Sequence, residues 1–183
     1  MELNSNIKIF LLEGEQTKIT ERLKTLAPVL VKTDEIISIL SVFKAVHKRL
    51  EPEYSQEAKN KFLRVRTADE ILKSGIACSC SDYALVTIAL FRARKIPAVY
   101  VETFRRKWLE SNDEFIEGQI FVEIFINKKL LVINPEGTCI RGWHDNRFII
   151  YKKGLDSWDI GIKNKENLLQ VASKFREEFK KTL

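Results

Sequence analysis

Residues 81–91 read SDYALVTIALF, and Tyr83, Ala84, Leu85, Val86, Ile88, Ala89, Leu90 and Phe91 leave almost no polar face. A surface helix carries one apolar stripe, whereas a helix that is apolar all round has to be enclosed on every side. The chain must therefore build its core around this segment. After Pro97 the pattern changes to that of a buried strand over 98–104. Cys80 stands at the mouth of the helix. The unpaired backbone N–H groups and the positive end of the helix dipole there favour a thiolate, the nucleophilic form of cysteine.

The rest of the chain divides into helices first and strands second. Ile19, Leu23 and Leu26 fall on one helical face, and Thr33-Asp34-Glu35 reads as the cap of a helix carrying Ile36, Ile37, Ile39, Leu40, Phe43 and Val46. Thr67-Ala68-Asp69-Glu70 has the spacing of a capping box, so a short helix should run to Lys73 and stop at Gly75. Strands are expected over 98–104, 119–126, 130–134 and 147–151, with Asn127-Lys128-Lys129 as a hairpin connection. That hairpin pairs the strands of Gln119 and Asn134 antiparallel and brings both residues to the end remote from the turn. An amphipathic helix lies within about 164–182, with Leu168, Leu169, Val171, Ala172 and Phe175 inward. The expected fold class is α+β, a helical N-terminal half whose Cys-bearing helix packs on an antiparallel sheet. With no repeat or linker in its 183 residues, the chain is expected to form one domain over 1–183, its core at about 60–135.

Composition narrows the function classes. An apolar share of 45% with 31% charged residues is that of an ordinary globular protein, and no signal-peptide pattern or bilayer-length apolar run is present. A cytoplasmic protein without membrane attachment is expected. The net charge of +6 is scattered, as Lys128-Lys129, Lys152-Lys153, Lys180-Lys181 and Arg105-Arg106-Lys107, so nucleic acid is not the expected partner. Three cysteines, two of them at Cys78 and Cys80, suit reduced thiols better than a disulfide framework. Cys78, Cys80, Cys139 and His144 are zinc-ligand types, but their spacing is not the common C-x₂-C, and neither a metal nor a cofactor is expected.

Cys80-Ser81-Asp82-Tyr83-Ala84, followed by Leu90-Phe91-Arg92-Ala93 and Ile96-Pro97-Ala98, resembles the nucleophile segment of the transglutaminase-like branch of the papain-type cysteine enzymes. Gly118-Gln119-Ile120-Phe121-Val122-Glu123-Ile124-Phe125 is similar to that family's G-H-x-W-V-E-V-Y strand, and Leu130-Leu131-Val132-Ile133-Asn134-Pro135 to its W-x-x-x-D-P strand. The resemblance covers roughly residues 60–135. It implies a transglutaminase-like, papain-like core with Cys80 as the family's nucleophile, Gln119 at the general-base His and Asn134 at the orienting Asp.

Two functions follow. Gln119 donates and accepts hydrogen bonds but takes up no proton near neutral pH, so it replaces only the geometry of a His. Asn134 is the lesser change, since papain-like enzymes use Asn in the orienting role. The first expectation is a catalytically degenerate protein that holds a peptide, protein or small amide ligand in the former cleft. The second is an active cysteine hydrolase or acyltransferase on amides, with His144 of Gly142-Trp143-His144-Asp145 folding back over Cys80 as substitute base. His47 reads as a helix-surface histidine, Asp82 as an acid complementing the helix dipole, and 155–159 as a turn into the last helix. Glu123 has no charge partner visible in sequence, and the oligomeric state is open.

Overall fold

The structure, a computed structural model, describes residues 5–28 and 34–183. Short helices α1 (Ser5–Lys8) and α2 (Glu21–Leu26) precede α3 (Glu35–His47). Thr20 caps α2 by accepting from the Leu23 N–H. Asp34 caps α3 in the same way, accepting from the Ile37 N–H at 2.9 Å; the expected contribution of Thr33 lies outside the described residues. After β1 (Glu51–Pro52), Ser55 caps α4 (Gln56–Phe62). Thr67 and Glu70 form the expected capping box of α5 (Ala68–Ser74), which ends at Gly75 in the left-handed conformation, φ 70°. β2 (Ile76–Ala77) pairs parallel with β1 and leads to α6 (Cys80–Ala93).

Every residue of α6 from Ser81 to Arg92 is buried, as its all-round apolar pattern requires. Arg92 closes the helix 1% exposed, and it stays inside because its guanidinium donates to Thr17 Oγ1 and to the carbonyls of Phe10, Ala98 and Leu155. β3 (Ala98–Arg105), α7 (Arg106–Glu110), β4 (Gly118–Ile126), β5 (Lys129–Asn134), β6 (Cys139–Arg141), β7 (Phe148–Gly154) and α8 (Lys165–Lys180) follow. The order β6-β5-β4-β3-β7 makes one antiparallel sheet, and the fold is α+β. Asn127 and Lys128, at φ 47° and 67°, are the two positive-φ residues that a tight β4–β5 hairpin needs.

Strand alternation sorts the sheet into two faces. Tyr100, Ile120, Val122, Ile124 and Ile133 pack with α6, while Val99, Val101, Phe121 and Val132 form a separate outer cluster. On α8, Ala172 is buried and Phe175 meets Phe104 and Tyr151. Leu169 departs from its expected inward role. It is 45% exposed and lines a cleft beside α6. Among the described residues no helix is long and apolar enough to cross a membrane.

Candidate functional site

Cys80 is the first residue of α6 and half-buried, and it lines a cleft of about 440 Å³ whose apolar lining includes Leu63, Phe104, Phe115, Ile116 and Leu168. The preceding bend is held from below. Asp82 accepts from the Cys78 N–H at 2.7 Å and from Arg66 Nη2 at 2.8 Å, both residues being buried. Asp82 therefore fixes the Cys78–Cys80 backbone through a buried ion pair, a stronger structural role than dipole compensation alone.

The hairpin delivers the other expected positions. Gln119 Nε2 donates to Asn134 Oδ1 at 2.9 Å, and the Gly137 N–H reaches the same oxygen at 3.1 Å. A backbone N–H only donates, so the Asn134 atom it meets is the carbonyl oxygen, and the Gln119 atom facing that oxygen is the amide nitrogen. Gln119 Nε2 also approaches Glu136 Oε2 at 3.3 Å, and Tyr54 donates its hydroxyl to Glu136 Oε1 at 2.8 Å. Gln119 has the strand parity of the outer face. Because it is the second residue of β4, where the sheet ends, it lines both the Cys80 cleft and a smaller outer cavity of about 180 Å³ that Asn134 and Cys139 also line.

Other charges in the cleft went unread in the sequence. Arg64 and Glu102 form a buried bidentate pair at 2.9 and 3.0 Å, joined by the Tyr100 hydroxyl. Arg64 is a non-glycine residue at φ 68°, a left-handed conformation held because its carbonyl accepts from Gln16 Nε2 and Trp158 Nε1. The 155–159 segment is thus a structural turn as expected, with Asp156 and Ser157 fully buried. The one sequence signal was Glu102 itself, a carboxylate in the middle of the apolar strand AVYVETFR. Next to it the β3–β7 register shifts at Glu102/Thr103, a bulge of the kind common beside sites.

The thiol does not have the expected character. Burial pushes Cys80 up to about 12; the Arg64 charge and the Ile120 N–H pull the other way, and the Glu136 and Glu102 carboxylates add to the rise. Cys80 is therefore a neutral thiol near neutral pH. The helix-mouth argument leaves out burial, the largest cause of the rise, and the Glu136 and Glu102 carboxylates that add to it. Burial likewise raises Glu102 against the pull of Arg64.

His144 corrects a second expectation. Its Nε2 lies 2.6 Å from Glu123 Oε1 and its ring stands edge-on to Phe121 at 5.7 Å. Glu123 and Phe121 belong to the outer face of β4, so the sheet separates His144 from Cys80. Glu123 also takes Lys153 Nζ at 2.6 Å, which supplies the partners that sequence left unassigned. His47 is more than a surface residue: it stacks on Tyr83 at 5.0 Å and bonds the Pro135 carbonyl at 2.7 Å, pinning the end of β5 to α3. Cys78 and Cys80 line the inner cleft while Cys139 lines the outer cavity, and among the described residues no three His, Cys, Asp or Glu side chains are grouped to hold a metal ion.

A family model described as a transglutaminase-like domain matches residues 21–141. No curated protein matches. A crystal structure of a protein from Cytophaga hutchinsonii, provisionally described as a cysteine protease, superposes with a TM-score of 0.64 at 18% identity, over 88% of this chain and 51% of that one. This chain thus spans about half the length of that structure, and at such identity the likeness is one of fold.

Proposed function

The chain belongs to the transglutaminase-like domain family, and from that premise we propose that it is a catalytically degenerate member which binds a peptide, protein or small amide ligand in the cleft beside Cys80. In this reading Gln119 and Asn134 stand where active relatives carry the general base and the acid that orients it. The contact that carries the reading is the Gln119–Asn134 hydrogen bond of 2.9 Å. It keeps the geometry of a base–orienter pair while neither amide takes up a proton. Loss of the triad His in subtilisin costs about 10⁶ in kcat, and a comparable loss here leaves no useful turnover.

The neutral Cys80 thiol agrees, since a nucleophile pushed up to about 12 needs a strong base close by. With His144 bonded to Glu123 on the outer face, the reading as an active hydrolase loses the substitute base it named. A cleft of about 440 Å³ lined by apolar side chains and a few polar groups is of the size and make-up that binds small ligands.

The test joins two measurements on the wild-type protein. Peptide amides should undergo no Cys80-dependent hydrolysis or acyl transfer, and the same compounds should shift the side-chain NH₂ resonances of Gln119 and Asn134 in an NMR titration. Turnover abolished by Cys80→Ala would overturn the degenerate assignment. An unperturbed spectrum at millimolar peptide amide would overturn the binding role.

A further inference from the structure

The charged residues of the cleft lining balance in number but not in pairing: Lys59, Arg64 and Lys165 stand against Glu102, Glu114 and Glu136. Arg64 and Glu102 neutralise each other as a buried pair. Glu136 already takes the Tyr54 hydroxyl and the Gln119 amide, and Glu114 is exposed to solvent. The two lysines are half-buried, and neither makes an ion pair with a described carboxylate. Lys165 Nζ donates to Asn60 Oδ1 at 2.7 Å, an oxygen that also takes Gln56 Nε2 at 2.8 Å, and Lys59 Nζ stands 6.0 Å from the centre of the Tyr54 ring. The Asn60 contact spans 105 positions of sequence, and it ties the start of α8 to the turn of α4 that carries Lys59.

Both helices run from lysine to leucine. Leu63 follows Lys59 one turn on, its N–H bonded to the Lys59 carbonyl at 3.1 Å, and Leu168 and Leu169 stand one turn beyond Lys165. Residues at these spacings share one helix face, and all of them line the cleft. The two helices therefore present the same order, a cation and then an apolar side chain, and Phe115, 76% exposed, extends the apolar surface. An ammonium carries three donors; Lys165 spends one on Asn60 and Lys59 none on a described group, so both keep donors for a ligand. Two compact charges from two helices suit a carboxylate, whose oxygens each accept a charge-assisted hydrogen bond. The chain's net charge of +6 favours an approaching anion as well.

We propose that the α4–α8 side of the cleft recognises a carboxylate on an apolar chain, with Lys59 and Lys165 as its partners and Leu63, Leu168 and Leu169 against the chain that bears it. This rests on the binding role inferred above and names the ligand chemistry for it. The C-terminal carboxylate of a peptide ending in an apolar residue and an acidic side chain beside an apolar residue share this chemistry. The experiment separates them.

Four probes are titrated into ¹⁵N-labelled protein at about pH 7, where a carboxyl of pKa about 3.3–4.3 is charged, and at low ionic strength, where exposed charges are least screened: N-acetyl-L-leucine, N-acetyl-L-leucinamide, N-acetyl-L-leucyl-L-glutamic acid α-amide and inorganic phosphate. The expected result is that at least one of the two acids shifts the Lys59 and Lys165 amides and binds about fivefold or more tighter than acetyl-leucinamide. Lys59→Met with Lys165→Met keeps the side-chain length without the charge and should remove that preference. Tighter binding of acetyl-leucine than of the glutamic acid probe assigns the carboxylate to a C-terminus; the reverse assigns it to a side chain. Equal affinity of the acids and acetyl-leucinamide in the wild type overturns the carboxylate assignment while leaving the cleft a binding site, and it requires no variant to fold. Phosphate bound as tightly as the better acid overturns it too, since the lysines would then hold any anion without an apolar chain. If no probe shifts any amide of the cleft, the binding role falls with it.

Discussion

The Gln119 side chain donates to Asn134 across 2.9 Å, two neutral amides locked together at the open end of the β4–β5 hairpin. An imidazole at position 119 would meet an acceptor already oriented by the Gly137 N–H. Gln119→His alone should therefore raise the rate of Cys80 alkylation near neutral pH by about tenfold or more, because a nearby imidazolium favours the thiolate. Adding Asn134→Asp should contribute less than the first change. Site-resolved alkylation by mass spectrometry measures both, and a single variant indistinguishable from wild type would mean that position 119 does not reach the thiol.

In the wild type, Cys80 should behave as a shielded, neutral thiol. With its thiol pushed up to about 12, the thiolate fraction at about pH 8 is small, and the higher nucleophilicity of a more basic thiolate only partly offsets this. Alkylation should run on the order of a hundredfold slower than for a free cysteine of pKa about 8.5. The rate should still be climbing at about pH 10. Glu136→Gln removes a negative charge that opposes ionisation, so it should lower the Cys80 pKa and speed the reaction. A plateau at about pH 8.5 in the wild type would refute the picture of a neutral thiol.

Much of this architecture was legible because the informative patterns are local. Burial of α6 from Ser81 to Arg92 follows from its all-round apolar run, Thr67 with Glu70 spells a capping box, and period-2 alternation set the strands and brought Gln119 to Asn134. What stayed hidden depends on distant partners. Arg64 meets Glu102 from 38 positions away and only because Gln16 and Trp158 hold its backbone at positive φ. The thiol's ionisation depends on how much chain closes around it, which the helix dipole does not record. His144 was misjudged because nearness in sequence to Asn134 says nothing about the face of the sheet on which the loop folds. β6 was missed because three residues carry too short an alternation to read.

Arg64 and Glu102 are 4% and 3% exposed, so breaking their pair should cost far more than a surface bridge. Arg64→Met leaves Glu102 buried without its cation, an effect of about 3–5 kcal/mol in comparable pairs. Arg64→Met with Glu102→Leu replaces both charges by apolar groups and should recover a large part of that loss. Urea denaturation of the two single variants and the double variant gives the coupling directly. Additive losses would mean that the pair contributes nothing as a pair.

Glu123 joins β4 to β7 and to the 142–147 loop through Lys153 and His144, each at 2.6 Å. Burial pushes its carboxyl up, but the hydrogen bonds from His144 and Lys153 and their charges outweigh burial and hold it below the usual carboxylate range. A carboxyl with a lowered folded-state pKa binds its proton more readily once unfolded, so its stabilisation is present above the unfolded value of about 4.3 and is lost as pH falls through the folded one. Glu123→Gln keeps an acceptor but gives up the charge, and it should be less stable than wild type at about pH 7 by about 1–3 kcal/mol. That gap should start to close as the solution is acidified below about pH 4.3, where the unfolded carboxyl takes up its proton, and should vanish only below the lowered folded-state value. Urea midpoints of both proteins between about pH 7 and pH 3 provide the measurement. A gap of constant size across that range would show that His144 and Lys153 do not hold Glu123 as a carboxylate.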